Sequence, residues 1–111
     1  MVIIFPISST LMDFCSLSLL KNKDRYGYSF TQKIQQYMNI SESTIYPVLR
    51  RLEKDELLIT YNKPYQGRNR KYYQITDKGL KQLEIYRKEW IEYKVMIDNL
   101  TNESVDSLEE E

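Results

Sequence analysis

The sequence switches from a helical to a strand pattern after residue 57 and returns to a helical pattern at residue 76. Leu58 to Asn62 and Lys71 to Ile75 are short segments with aromatic and branched side chains, which favour β-strands. The eight residues between them include Pro64 and Gly67, so we predict a long hairpin loop there. Three helical patterns precede this hairpin and one follows it. The predicted fold is therefore mainly α with a small β-hairpin.

The hairpin carries a concentrated positive charge. Lys63, Arg68, Arg70 and Lys71 place four cations within nine residues, in a chain whose formal net charge is zero. Residues 21–71 hold eleven basic and five acidic residues, a net charge of +6, whereas residues 72–111 carry a net charge of −5. A charged turn can simply keep an edge strand from aggregating. A cluster without any acidic neighbour instead favours a local anionic partner.

The first two helices have apolar patterns that require burial. Ser9 or Thr10 can cap a first helix that runs to about Leu20 and has little polar face. A polar break follows at residues 22–25, and the second helix begins just after Gly27. Its apolar stripe consists of Phe30, Ile34, Tyr37 and Met38.

The third helix has a buried stripe and a small, hydroxylated and basic outer surface. Ser41 is the expected N-cap, and the stripe consists of Ile45, Val48, Leu49 and Leu52. Pro47 lies six places after the cap, where it removes a backbone hydrogen bond, so we expect a kink or an irregular first turn.

The last helix is longer than a small core needs. Thr76 or Asp77 can cap it, and it reaches about Leu100, a length of roughly 36 Å. Apolar side chains recur at alternating steps of three and four, which is the seam of a coiled-coil-like contact. We predict a two-fold homodimer through this seam, with one residue of the first helix added: Leu11, Leu83, Tyr86, Trp90, Tyr93, Ile97 and Leu100.

The residue inventory argues against catalysis. The chain has no histidine, which excludes His-based acid–base chemistry, and its three glycines are too dispersed for a phosphate-binding loop. We expect no enzyme activity, no metal and no cofactor. Cys15 cannot form an intramolecular disulfide, and we expect a buried thiol in a reducing compartment. Neither a signal peptide nor a membrane span is recognisable, so we expect a cytoplasmic protein.

Helix, helix, basic-faced helix and basic hairpin occur in the order of a winged helix-turn-helix. Such a third helix fits the major groove of double-stranded DNA, and hairpin cations neutralise phosphates or enter the minor groove. We expect residues 1–75 to form the DNA-binding domain, residues 76–100 the dimerisation helix and residues 101–111 a disordered acidic tail. For Arg50 and Arg51 the alternative is a solvated helix face paired with Glu53 or Asp55.

Four motifs resemble the PadR family of transcriptional regulators, especially its short subgroup with a single C-terminal dimerisation helix. They are Tyr26-Gly27-Tyr28, the segment from Ile40 to Pro47 followed by Leu49 and Arg51 to Glu53, the wing segment Gly67 to Tyr73, and Thr76 to Gly79. The resemblance covers Ser9 to Leu100. The sequence differs from the family pattern at Glu56, where glycine is usual. Without that glycine, a residue with a Cβ must adopt a left-handed cap, or the helix must continue into the strand.

The resemblance implies a homodimeric repressor that binds an inverted-repeat operator, and it accommodates Pro47 within the recognition helix. The candidate DNA contacts are Tyr26, Ser41, Ser43, Thr44, Tyr46, Arg50, Arg51, Lys63, Arg68, Asn69, Arg70 and Lys71. Multidrug-sensing members stack planar hydrophobic ligands on tryptophans of the last helix, and Trp90 resembles that position, although ordinary interface packing also explains an indole there. A winged-helix module that binds an acidic protein is the remaining alternative.

Overall fold

The helical and strand patterns produce four helices around one sheet in a computed structural model, which describes residues 5–103. The helices are Ser9–Lys21 (α1), Gly27–Gln35 (α2), Glu42–Lys54 (α3) and Asp77–Thr101 (α4). The strands are Arg25–Tyr26 (β1), Leu58–Tyr65 (β2) and Arg68–Ile75 (β3), and they form an antiparallel sheet in the order β1-β3-β2. The predicted mainly α fold with a β-hairpin and a long last helix is confirmed.

The core lies where the apolar faces of all four helices meet the sheet. The predicted stripe of α3 is buried, and Phe30 and Ile34 of α2 pack against it. The side chains that are almost completely buried and apolar are Leu17, Leu20, Phe30, Ile45, Leu49, Leu52, Leu58 and Leu83. This packing fixes α3 with its polar side outward.

Helix α3 begins at the predicted cap and passes through its proline without a break. Ser41 is the N-cap, although its side chain bonds to neighbouring hydroxyls rather than to a backbone N–H. Pro47 lies inside the helix, which is continuous from Glu42 to Lys54. At α1 the cap is Ser8, one residue before the predicted position, and its hydroxyl accepts a hydrogen bond from the N–H of Leu11 at 3.1 Å.

The hairpin differs from the predicted long loop. Strand β2 continues to Tyr65 and strand β3 begins at Arg68, so the turn contains only Gln66 and Gly67. Both turn residues have positive φ, 48° and 75°, as a two-residue turn of the I′ kind requires. The prediction of an eight-residue loop was wrong because the polar, basic composition of residues 63–70 concealed three further cross-strand pairs. The basic residues consequently lie on the strands and not in a loop.

Strand β1 was also not predicted. Arg25 ends the segment that reads as a polar break and Tyr26 follows it, yet they pair with Tyr73 and Tyr72 of β3. Two residues are too few to show a period, so only the partner strand defines them. The pairing brings the start of α2 beside the hairpin.

The end of α3 and the start of α4 meet at what we call the α3–α4 corner, residues 55–57 and 76–79. Glu56 adopts the left-handed conformation with φ of 63°, which is the first of the two expected consequences of lacking glycine there. The Thr76 hydroxyl donates to the carbonyl of Glu56 at 2.7 Å, and Lys78 donates to that of Asp55 at 3.0 Å. Gly79 lies so close to the Leu57 carbonyl that a Cβ would overlap it. The corner therefore joins α4 firmly to the end of α3.

Helix α4 extends well beyond this core, and residues 91–100 are all exposed. Within residues 5–103, no helix is both long enough and apolar enough to cross a bilayer. The predicted acidic tail lies outside the described residues from position 104 onward.

Candidate nucleic-acid interface

The outer surface of α3 begins with a cluster of hydroxyl groups. Ser41, Ser43 and Thr44 are exposed, and the Ser41 Oγ lies 2.8 Å from that of Ser43 and 3.3 Å from Thr44 Oγ1. Hydroxyls can donate and accept, so this cluster can bond to a phosphate oxygen or to a base edge. Arg50 is also exposed and lies two turns further along the helix.

Tyr46 has a different environment from these exposed residues. It is partly buried and packs against the core, and its hydroxyl lies over Gly27 at the start of α2. A Cβ at position 27 would lie 3.2 Å from the Tyr46 hydroxyl oxygen. Gly27 thus provides the space for the tyrosine, which connects the two helices at the face where the hydroxyl cluster lies.

Arg51 does not join the exposed set. Its guanidinium forms a bidentate ion pair with the carboxylate of Asp13 on α1, at 2.7 and 2.8 Å. These hydrogen bonds raise the pKa of Arg51 above its ordinary value. The alternative of a solvated helix face paired with Glu53 or Asp55 does not describe this arginine, because its partner is Asp13 on another helix. Arg51 fastens α3 to α1, so its guanidinium is already paired within the protein.

The pleat of the hairpin separates the wing cations into two sets. Antiparallel partners share a face, and Tyr73 marks the buried side of β3. Asn69 and Lys71 follow the alternation of Tyr73 on this inner side, where Lys71 Nζ lies 3.9 Å from a carboxylate oxygen of Glu53. The opposite side, which we call the outer wing face, comprises Tyr61, Lys63, Tyr65, Arg68, Arg70 and Tyr72. Three of the four predicted wing cations are thus on one surface.

Arg70 is held between two tyrosine rings on the outer wing face. Its guanidinium carbon lies 4.1 Å from the ring centre of Tyr26 on β1 and 3.6 Å from that of Tyr65 on β2. Lys63 lies over the ring of Tyr72 at 5.7 Å. Within residues 5–103, neither cation lies within 4.0 Å of a carboxylate oxygen, whereas Lys71 and Arg51 both do. The outer wing face therefore combines positive charge with stacked aromatic rings.

Tyr61 connects the outer wing face to the loop after α1. Its hydroxyl donates to the Asp24 carboxylate at 2.6 Å, and the Gln74 amide donates to the same carboxylate oxygen at 3.2 Å. The hydrogen bond to Asp24 raises the pKa of Tyr61 to about 12. The Tyr61 ring also stacks on Tyr72, with centroids 5.5 Å apart. This network connects the loop after α1 to both long strands.

Sequence reasoning missed Tyr65, Tyr61 and Tyr72 as members of this surface. Their positions depend on the register of the hairpin, which the predicted long loop left undefined. Gly67 was the available local signal, since glycine suits the positive φ that such a two-residue turn requires. A turn at Gln66 and Gly67 sets the whole register and places Tyr65 diagonally beside Arg70.

The predicted seam of α4 divides into a packed half and an exposed half. Leu83 is fully buried in its own protomer, so its assignment to a dimer interface is corrected, and Tyr86 and Trp90 pack on Phe14 of α1. Tyr93, Ile97 and Leu100 are exposed. Leu11 lines a cavity of about 340 Å³ between α1 and α4, together with Pro6, Ser8, Thr10, Phe14, Tyr86, Glu89, Trp90 and Tyr93.

The described residues contain no cluster of three or more side chains that could hold a metal ion. Cys15 is partly buried, and burial raises the pKa of its thiol, which disfavours the nucleophilic thiolate. The described surface offers hydroxyl groups, stacked rings and positive charge, which suit an anionic polymer.

The chain is similar in sequence and structure to known proteins. A protein of Lysinibacillus sphaericus is 42% identical over 92 residues, which cover 78% of this chain and 84% of that protein. The crystal structure of a Streptococcus mutans UA159 protein superposes with a TM-score of 0.83 at 42% identity, covering 91% of this chain and 95% of that one.

A PadR-like transcriptional regulator from Bacillus cereus ATCC 14579 superposes with a TM-score of 0.78 at 34% identity, covering 85% of this chain and 94% of that one. Residues 17–85, from the middle of α1 into α4, match the transcriptional regulator PadR-like family. Members of this family regulate transcription by binding DNA and are not enzymes. The chain described here belongs to the PadR-like family of transcriptional regulators.

Proposed function

We propose that this regulator is a repressor that binds an inverted-repeat operator as a homodimer. In this proposal residues 1–75 bind DNA, and residues 76–100 form the dimer. A subunit on each half-site would place α3 in the major groove, with its hydroxyl cluster and Arg50 toward base edges. Repression follows if the dimer covers promoter DNA that RNA polymerase needs.

The observation that carries the proposal is the contrast between paired and unpaired cations. Lys71 and Arg51 each have a carboxylate partner within the protein. Lys63, Arg68 and Arg70 have none within 4.0 Å among residues 5–103, and they share the outer wing face. A surface of this kind accepts phosphates, while α3 supplies the groups that distinguish bases.

The proposed contacts therefore differ in role. Arg68, Arg70 and Lys63 bind the sugar–phosphate backbone, whereas Ser43, Thr44 and Arg50 select the sequence. Ser41 supports the neighbouring hydroxyls, and Tyr46 and Tyr26 position α3 and the wing. Asn69 and Lys71 remain proposed contacts near the turn, although Lys71 must leave Glu53 to reach a phosphate.

A mobility-shift titration with the DNA upstream of its own coding region tests this function. We expect a preference over random DNA at roughly 0.15 M salt. Replacing both Arg68 and Arg70 with Ala should weaken binding to both DNAs and reduce its salt dependence. Lys71→Ala should weaken binding less, because this cation is paired with Glu53 and must leave it to reach a phosphate.

Replacing Ser43 and Thr44 with Ala should instead reduce the preference for the upstream DNA, by roughly 1 kcal/mol or more, while random DNA binds as before. Absence of any sequence preference in the unmodified protein would contradict the proposal. If an acidic protein partner bound regardless of competing DNA, the protein-interaction alternative would replace it.

A second candidate function is ligand sensing, which the cavity between α1 and α4 favours. Its volume of about 340 Å³ is within the range of small-molecule sites, and aromatic rings line it. A planar hydrophobic molecule could stack on Trp90, the sole tryptophan. Titration with planar cationic dyes should quench Trp90 fluorescence below about millimolar concentration, and an unchanged emission would contradict this role.

A further inference from the structure

We propose that Tyr65 and Tyr26 act as a clamp that positions Arg70 for a DNA phosphate. The inference rests on the proposed DNA-binding function and adds to it a positioning role for Tyr65, which no motif singled out. It concerns one arginine and the two rings on either side of it.

The register of the sheet creates this arrangement. Arg70 lies on the central strand β3, opposite Lys63 of β2, and Tyr65 lies two residues further along β2 on the same face. Tyr26 pairs with Tyr72, two residues from Arg70, so it approaches from β1 on the other side. Diagonal neighbours of this kind are within reach of long aromatic side chains.

The distances indicate stacking of the guanidinium plane on both rings. The two ring centres lie 3.6 and 4.1 Å from the guanidinium carbon, well inside the range of a cation–π contact. Rings on both faces leave the N–H groups at the guanidinium edge as the part that remains open. Within residues 5–103 no side-chain or backbone acceptor is hydrogen bonded to that edge, and no carboxylate lies within 4.0 Å.

The chemistry of that open edge selects the ligand. A guanidinium presents a rigid fork of donors that matches two oxygens of a phosphate group. A free arginine loses rotamer freedom when it binds, whereas one already held between rings loses less. The clamp therefore increases affinity without contributing charge of its own, and it orients the donors along the wing.

Arg68 provides an internal comparison. It is exposed and pairs across the strand with Tyr65, and among residues 5–103 no aromatic ring forms a cation–π contact with its guanidinium. Both arginines contribute charge, but only Arg70 is pre-oriented. Arg68→Ala and Arg70→Ala should therefore reduce the salt slope alike, while Arg70→Ala causes the larger loss of affinity.

The experiment measures binding to a random-sequence duplex of about 30 bp across a KCl series, because phosphate contacts do not depend on sequence. Arg70→Ala should weaken binding and lower the slope of log K against log[salt] by about 0.9 for each phosphate that the protein no longer neutralises. Tyr65→Leu should weaken binding several-fold with no change in net charge. Tyr65→Phe should restore the affinity, because the ring is kept. The Arg70→Ala, Tyr65→Leu double variant should bind like Arg70→Ala alone.

Tyr37→Leu is the control. Tyr37 follows α2 and is exposed, and its ring lies 6.0 Å from Lys33 Nζ rather than against Arg70. It should leave the affinity nearly unchanged. In the free protein, NMR should show the Arg70 side-chain protons shifted upfield by the rings, and Tyr65→Leu should reverse part of this shift. That signal reports the clamp independently of DNA.

The outcomes separate the two levels of the proposal. If the unmodified protein binds no DNA, the proposed function fails. If it binds and Arg70→Ala is weakened, but Tyr65→Leu binds normally or adds its full effect to Arg70→Ala, the clamp fails and the function stands. Equal losses in Tyr65→Leu and Tyr65→Phe would also overturn the clamp, because the ring would then not be the active feature.

Discussion

At two positions of this molecule, the backbone conformation or a close contact restricts which residue can be present. Glu56 occupies the left-handed region with φ of 63°, a conformation that costs a residue with a Cβ about 1–2 kcal/mol. Its carbonyl accepts the Thr76 hydroxyl, which helps to keep it there. Gly79 is required for another reason, since a Cβ would also lie 2.7 Å from Ile75 Cγ1. Both residues serve the α3–α4 corner.

Tyr61 gives a pH prediction at the same scale. Its bond to Asp24 raises the tyrosine pKa from 10.0 to about 12, which favours the protonated, folded form. The stabilisation is therefore complete below the unfolded pKa near 10 and is lost as pH rises through the folded value near 12. Asp24→Asn should move the Tyr61 pKa back toward 10.0.

The measurement is a ¹³C NMR titration of the tyrosine ring carbons, with Tyr61→Phe to assign the signal. Asp98→Asn removes a distant carboxylate on α4 and should leave the Tyr61 titration unchanged. An ordinary Tyr61 pKa in the unmodified protein would disprove the hydrogen bond.

Secondary-structure elements were predictable where the pattern of apolar residues lies within the element itself. The 3.6-residue periodicity of α3 defined its buried stripe, and the apolar seam of α4 gave its length. The hairpin register follows from the position of the turn at Gln66 and Gly67, which the predicted long loop left out. Strand β1 was not predictable, because it depends on long-range pairing with β3. The partner of Arg51 was missed for the same reason, since Asp13 is 38 residues away. The candidate cations were identified from sequence, but their division between two faces needed the register.

The ion pair between α1 and α3 gives a prediction at the scale of elements. Asp13 is buried and receives two hydrogen bonds from Arg51, so Asp13→Asn leaves a partly buried guanidinium without its charge partner. We expect a loss of about 2 kcal/mol in the free energy of unfolding, measured by urea denaturation.

Glu84→Gln is the control, because Glu84 lies 3.9 Å from Lys21 in an exposed pair that should contribute less than about 0.5 kcal/mol. Equal losses of unfolding free energy in the two variants would show that the Asp13–Arg51 pair does not stabilise the packing of α3 on α1.

The whole molecule is elongated, with dimensions of 70 × 33 × 21 Å, because α4 extends beyond the core. Its exposed half retains apolar side chains that the protomer does not cover. Tyr93, Ile97 and Leu100 continue the seam, and Ile91, Val95 and Met96 are exposed beside it. Such an uncovered stripe on a long helix favours association with a second copy.

Dimerisation is the prediction at this scale. Sedimentation at micromolar concentration should give twice the chain mass of 13.4 kDa. Replacing both Ile97 and Leu100 with Glu should give monomers, since it places charges in the seam. Lys88→Glu alters the charge on α4 away from the seam and should leave the dimer intact. A monomeric mass for the unmodified protein would refute the interface.

The α3–α4 corner has a consequence for how an operator could vary. Thr76, Lys78 and Gly79 join the start of α4 to the end of α3. In the proposed dimer, these contacts would couple the dimerisation helix to α3, so the protein would set the separation and the rotational phase of the two α3 helices. One base pair inserted between half-sites rotates them apart by about a tenth of a helical turn. Operators should therefore tolerate base substitutions within a half-site more readily than insertions or deletions between the half-sites.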